Sequence, residues 1–507
     1  MGERFGYYIM NAVLILFLCS KFGLSDGASG MIASAFLTLI YILSLVGGIV
    51  ADRTSNYKGT IITGLVLMSL GYVLLTIPIT ATDTNKSWLL PFTCAALFII
   101  SLGNGFFKGN LQAIVGQMYD NLEEQAAKKG KDELDRVKGL RDSGFQIFYV
   151  FINIGALVAP FIAPYLRGWW LAQNGFTYHA KLPALCHKFI NDAAGMSAEE
   201  MQNIKEWCAE VSNGAVAEPT IDFCNQYLEV FNTGVHYSFW ASVVAMGISL
   251  VIFLVNKKTF PTPAKKAAAA AVDYTEEERR TMAAEIRQRM MALFAVLGIA
   301  VFFWFSFHQN AQSLSIYARD FVDTSSIAPE VWQAVNPFFV IFLTPVIMAI
   351  FAWLAKRGFT FSTPRKIAIG MFIAGIAYLV LLLVALANGY PSGETFNSMP
   401  AEDQNAMKAG AWVLLTVYFF LTVAELFISP LGLSFVSKVA PKHLQGLCQG
   451  LWLGATAVGN GLIWLGPVML NVWPQWMCWT VFLAVCLLSM AIMLSMVKWL
   501  EKVCKTN

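Results

Sequence analysis

Charge is what this chain has least of. Asp, Glu, Lys and Arg make up 13% of its 507 residues, against about 25% in soluble domains. That scarcity, beside long apolar runs, excludes an ordinary soluble fold. The runs do not alternate apolar with polar residues, which excludes a membrane β-barrel and leaves helices. A net charge of +3 is too small to suggest a nucleic-acid partner. No small-residue cleavage site follows the first apolar stretch, so a cleaved signal peptide is not expected. Also missing are a phosphate-binding glycine loop, a clustered nucleophile and base, and a metal-spaced histidine set. An enzyme is therefore not expected, nor is a bound cofactor or metal.

What remains is 57% hydrophobic and reads as an all-α integral membrane protein. Twelve stretches are long enough to cross a bilayer: about 5–24, 28–51, 59–79, 88–118, 144–166, 235–256, 290–318, 333–355, 366–388, 410–436, 445–470 and 475–500. If the N-terminus is cytoplasmic, 25 of the 35 Lys and Arg residues fall in the cytoplasmic connections and tail. Such a bias sets orientation, so both termini are expected inside. The linker 257–289 is charged and Ala-rich, with Thr275 placed to cap a helix at Glu276. It divides the chain into a six-helix bundle over 1–256 and another over 290–507, an arrangement that suits rocking about a central site. An extracytoplasmic insert, 167–234, contains a capping box at Ser197 and Glu200. Its three cysteines (Cys186, Cys208, Cys224) allow at most one internal disulfide, and their spacing with His187 matches no zinc pattern.

Polar residues inside apolar helices carry the functional signal, because charge at membrane depth is costly and marks substrate or ion paths. The first span opens with Glu3-Arg4, then Tyr7 and Tyr8. A plain interfacial anchor of snorkelling Arg and a tyrosine belt is the bland alternative. In "GNGFFKGNLQAIVGQMYD", Lys108 is too far from the helix end to snorkel at about 1.5 Å per residue; a buried lysine needs a carboxylate partner or it loses its proton. Asn153 sits mid-helix in span five. Span ten carries Glu425, with Pro430 and Gly432 placed to break the helix.

Eight strings occur in order along the chain: "ERFGYY", "GGIVADR", "GNGFFKGN", "FYVFINIGALVAP", "FFWFSFHQNAQSLSIYA", "NPFFVIFLTPVIMAIF", "ELFISPLGLS" and "GLWLGATAVGN". Together they resemble the proton-coupled oligopeptide transporters of the major facilitator superfamily. The resemblance implies that superfamily's twelve-helix fold, alternating access, and import of di- and tripeptides with protons as the coupling ion. By position it places Glu3 and Arg4 in the proton-coupling motif and Tyr7, Tyr8 and Tyr41 on the central cavity. It gives the span-four lysine as Lys108, the span-five asparagine as Asn153, the span-eight asparagine as Asn336, the span-ten glutamate as Glu425 and a span-eleven pocket tryptophan as Trp452. The chemistry agrees. Arg4 and Lys108 suit a peptide carboxylate, Glu425 its ammonium, and Glu3 can exchange a proton as the carboxylate competes for the bases.

The sequence departs from the family pattern in places. The motif has a further acid three residues before Glu3, a position that precedes Met1, so a trimmed start is expected. His308 stands where bacterial members carry an acid, and Asn11 where they carry an arginine, so that outer pair is replaced without an orphan charge. His308 can still titrate near neutral pH, as a second proton carrier or outer gate, or simply line the cavity as a hydrogen-bonded neutral ring. Lys108-Gly109-Asn110 replaces Lys-Pro-Asn, with little functional change expected. The linker is too short of apolar residues for the two extra spans of many bacterial members. The expected setting is a bacterial cytoplasmic membrane, the expected partners are peptides and lipid, and a monomer is expected. Transport of another zwitterionic or anionic solute, uniport, or a non-transporting receptor are the alternatives.

Overall fold

The structure, a computed structural model, describes residues 1–261, 276–324, 327–359, 361–439 and 445–505. Twelve long helices follow one another: α1 Gly2–Phe22, α2 Asp26–Thr54, α3 Tyr57–Thr76, α4 Lys86–Ala127, α5 Lys131–Gln173, α6 Ile221–Asn256, α7 Glu276–Phe307, α8 Val335–Lys356, α9 Thr363–Asn388, α10 Trp412–Val439, α11 Gln445–Leu462 and α12 Gln475–Lys505. Eleven helical stretches are long and apolar enough to cross a membrane, and α10 contributes a shorter one, Trp412–Ile428. Large apolar side chains such as Val251, Val255 and Leu383 stand exposed on their outer faces. Water would oppose so much exposed apolar surface; lipid accepts it.

Local chemistry sets the helix ends. Gly23 closes α1 in the left-handed region at φ +62, its N–H donating to the Cys19 carbonyl. Ser25 caps α2 by accepting from the Ala28 N–H, and Asn56 caps α3 by accepting from Gly59. Glycine then sets the closest approach. A Cβ on Gly64 would sit 2.6 Å from the Gly103 carbonyl oxygen, and one on Gly105 would sit 2.5 Å from Leu43. So α4 lies backbone to backbone on α3 and α2, the small-residue contact that holds helices where no hydrophobic drive between them exists.

The packing repeats after six helices. The contacts α1–α5, α1–α6, α2–α4, α3–α4 and α3–α6 recur as α7–α11, α7–α12, α8–α10, α9–α10 and α9–α12. The two sets meet through α2 on α11 and α5 on α8, a pair of contacts that the same shift interchanges. This is the inverted or parallel repeat logic of transporter folds, with a site at the repeat interface.

Several expected boundaries shift. Helix α5 continues to Gln173 and α6 begins at Ile221, so the excursion between them covers 174–220 rather than 167–234. Its helices are Leu182–Asp192 and Ala198–Val211, and Ser197 and Glu200 form the reciprocal capping box. Cys186, Cys208 and Cys224 are buried free thiols. Helix α10 runs through Pro430 and Gly432 without a break. The expected Thr275 cap and the linker segment 262–275 lie outside the described residues.

Candidate functional site

A cavity of about 500 Å³ lies between the two repeats, within the ~300–1,000 Å³ range of small-molecule sites. On α1 its lining residues are Glu3, Arg4, Tyr7, Tyr8 and Asn11. That spacing is one stripe of a helix, recurring every three or four residues, so a single polar face is turned inward from an otherwise apolar span. Helix α2 adds Leu37 and Tyr41, α4 adds Phe107, Lys108 and Leu111, and α5 adds Ile152 and Asn153. The second repeat supplies Trp304 and Phe307 of α7, His308 just beyond it, Asn336 of α8 and Glu425 of α10. All of the candidate residues named from the sequence therefore line one cavity except Trp452, which is 3% exposed within α11 and is not among the lining residues.

Charge is divided across this space. Arg4 and Lys108 belong to the first repeat and Glu425 to the second. Arg4 Nε donates to Glu3 Oε2 at 2.6 Å, so the acid and base that begin the chain pair with each other. The Lys108 ammonium lies 3.9 Å from the centre of the Tyr41 ring, a cation–π contact. Among the described residues no carboxylate forms an ion pair with Lys108. Opposite, Glu425 Oε2 accepts from Asn336 Nδ2 at 3.0 Å, and the same amide donates to Thr422 Oγ1 at 3.0 Å. His308 stacks on Trp304, ring centres 4.9 Å apart, and its Nδ1 bonds the Asn460 side-chain oxygen.

Residues that sequence reasoning passed over complete the site. Asn104, one turn before Lys108, donates its side-chain amide to Glu3 Oε1. Gln333 accepts from Asn11 Nδ2 through Oε1 at 3.0 Å, a neutral amide contact between the repeats.

Beyond the cavity, at the end away from the termini, ion pairs join the repeats. Arg167 of α5 pairs with Glu330, just before α8, at 2.6 Å, the side chains 3% and 0% exposed. Arg319 bridges Asp26 of α2 at 2.9 Å and Asp320 at 2.7 Å. Lys181 donates to Gln404 Oε1 at 2.7 Å, and Asn203 clasps the Met399 carbonyl and the Ala401 N–H at 2.8 and 2.7 Å. The 174–220 excursion of the first repeat is thereby fastened to the α9–α10 connection of the second, and this end is closed.

Two pseudo-symmetric helical repeats around a central polar cavity define a multi-pass membrane protein of the major facilitator type. Residues 58–273 and 264–477 match the model of the POT family, and the chain belongs to that family, one of transporters rather than enzymes. It is similar to dipeptide and tripeptide permease A of Escherichia coli, 26% identical over 467 residues that cover 91% of this chain and 80% of that protein. It is also similar to the peptide transporter YePEPT of Yersinia enterocolitica, 27% identical, covering 91% and 84%. Among solved structures, a peptide transporter POT crystallised with sulfate has the same fold, with a TM-score of 0.68, 21% identity and coverage of 99% of this chain and 93% of that one.

Proposed function

We propose that this chain is a proton-coupled symporter that moves di- and tripeptides across a bacterial cytoplasmic membrane by alternating access. The observation that carries the reading is the divided charge of the cavity: Arg4 and Lys108 on one repeat, Glu425 on the other. A short peptide is a zwitterion whose two ends are separated by its backbone. Its carboxylate goes to Arg4 and Lys108, its ammonium to Glu425, with Asn153 and Asn336 beside the backbone. Tyr7, Tyr8, Tyr41 and the apolar walls then read side chains loosely, which suits broad specificity. Trp452 acts from behind the wall. The names of the permease relatives support this substrate class.

In the described state Glu3 holds Arg4. A peptide carboxylate arriving at Arg4 and Lys108 competes with Glu3, whose carboxylate then takes up a proton. Release of peptide on the termini side restores the pair, and Glu3 gives up its proton to that same side. His308, near Lys108 and Trp304, is the second candidate on the proton path. The excess of Lys and Arg on the termini side supports a cytoplasmic location for that end. The test is uptake of labelled dialanine into proteoliposomes, with and without an inward proton gradient, by wild type and Glu3→Gln. Gradient-driven accumulation that Glu3→Gln reduces to downhill exchange supports the reading. Accumulation unaffected by Glu3→Gln moves the coupling to His308 or Glu425. No uptake of any small peptide removes the substrate class and turns attention to another zwitterionic or anionic solute.

A further inference from the structure

Glu3 has a neighbour that no cavity argument requires. Its carboxylate accepts from Arg4 Nε through Oε2 and from Asn104 Nδ2 through Oε1. Asn104 is 1% exposed, yet its side-chain oxygen, also buried, has no hydrogen-bond partner among the described residues. A buried acceptor without a partner is costly unless it has a use. Carboxamides have a property that carboxylates and alkyl groups lack: one face donates and the other accepts, and a half turn about the last side-chain bond exchanges them.

We propose that Asn104 is the positioning residue for the proton on Glu3, serving both protonation states by rotating its amide. With Glu3 ionised, Nδ2 donates to Oε1, as seen. When Glu3 takes a proton at Oε1, that oxygen becomes a donor. Rotation then brings Oδ1 round to accept from the new O–H, and Nδ2 leaves both Glu3 Oε1 and the Met68 thioether, which it approaches at 4.0 Å in the ionised state. No bond other than the O–H of Glu3 forms or breaks. The released partner is Arg4, whose guanidinium is freed for a peptide carboxylate. The inference rests on the proposed coupling through Glu3 and deepens it.

The backbone holds Asn104 in reach. Gly103 and Gly105 flank it, and each meets a neighbouring backbone: Gly103 faces the Gly64 oxygen and Met68, Gly105 faces Leu43. Asn110, further along α4, donates to the Gly47 carbonyl at 3.1 Å. These contacts fix α4 closely against α2 and α3 and leave the amide as the part able to turn. The other groups facing Glu3 are unsuited to the task. Arg4 on its own side and Lys108 on α4 are cations with no acceptor site when charged. Tyr7, Tyr8, Tyr41 of α2 and Tyr72 of α3 feel its charge, but none hydrogen-bonds it among the described residues.

The test uses full-length protein in lipid. Acid-minus-neutral infrared difference spectra are recorded for wild type, Glu3→Gln, Asn104→Leu and Asn104→Gln, alongside dialanine accumulation and exchange. In wild type, acidification produces a protonated-carboxyl band together with a shifted side-chain amide carbonyl band. Glu3→Gln loses both. Asn104→Leu loses the amide band and shifts the carboxyl band, and its ratio of gradient-driven accumulation to exchange falls at least tenfold. Asn104→Gln recovers both the paired bands and most of the ratio. An amide band that persists in Asn104→Leu, or an accumulation ratio equal to wild type, overturns the proposal while leaving coupling through Glu3 in place. Unchanged accumulation in Glu3→Gln removes the coupling reading instead. If Asn104→Leu does not fold, Asn104→Ala is read against the same outcomes.

Discussion

The pair between Arg167 and Glu330 is the most exacting contact at the closed end, and its replacement has a calculable consequence. The two side chains are 3% and 0% exposed and meet through two bonds, 2.6 and 3.4 Å. Glu330→Gln keeps the shape and one oxygen but removes the charge. Removing one partner of a buried pair costs about 3–5 kcal/mol. The glutamine oxygen retains a bond to a charged donor, worth about 1.5–3 kcal/mol. The net loss in the closed state is about 2 kcal/mol, a factor of about 30 in an equilibrium constant. When that end opens, both groups are hydrated and the substitution costs little, so the loss falls on closure alone. The assay is pulsed electron-spin distance measurement between non-cysteine probes at Asn174 and Glu394, exposed positions on the two repeats at that end. Glu330→Gln should move population to longer distances. Adding Arg167→Gln should recover part of it, because the orphan cation is then gone. An unchanged distance distribution in Glu330→Gln, in protein that stays folded, would refute the assignment of closure to this pair.

Other outcomes follow from the same structure. Glu425→Gln should weaken uptake of free dipeptides at least tenfold while leaving competition by N-acetylated dipeptides nearly unchanged, as measured by inhibition of labelled dialanine uptake; equal losses for both would detach Glu425 from the peptide ammonium. Gly103→Ala places a Cβ 2.6 Å from the Gly64 oxygen, so overpacking should cost about 1–3 kcal/mol and lower Tm in detergent. His179 sits outside the spans, its Nδ1 accepting from the Leu182 N–H and its ring 4.4 Å from Trp207. Burial, with Lys181 nearby, lowers its pKa from 6.5 to about 3. A base lowered in the fold contributes its full stability above the unfolded value and loses it as pH falls. The Tm of the wild type should therefore decline between about pH 6.5 and 3, and His179→Gln should flatten that slope.

What could be read from the chain alone follows one physical rule. A charge in an apolar helix is conspicuous because lipid penalises it, so Glu3, Arg4, Lys108 and Glu425 announced themselves, while Tyr7 and Tyr8 were placed on the cavity by the family resemblance. Arg167 and Glu330 stand near helix ends, where charge is ordinary, and 163 residues apart; nothing local says they meet. Asn104 is neutral and lies between two glycines whose packing role hides it. The misplaced start of α6 has the same origin. Residues 221–234 were assigned to the insert, yet they begin α6, and Cys224, Tyr227 and Phe231 are buried, the two aromatic rings against Phe176 and Tyr178. Hydropathy measures fitness for a bilayer, and a helix turn buried against protein falls outside its reach.

The repeat adds a last consequence. The same packing positions recur every six helices, so α4 and α10 are equivalent in the scaffold, yet one carries Lys108 and the other Glu425. A symmetric frame thus holds an antisymmetric charge pattern. A ligand with a single charged end satisfies one repeat and leaves the other's charge uncompensated in a low-dielectric space. A zwitterion spans both, and only when the repeats stand close enough for each end to be held. Binding energy from such a ligand is therefore conditional on the relative position of the two halves, which is what a ligand must offer to shift a conformational equilibrium at all. On the proposed function, the division of charge between repeats would make substrate recognition and the rocking of the scaffold one event.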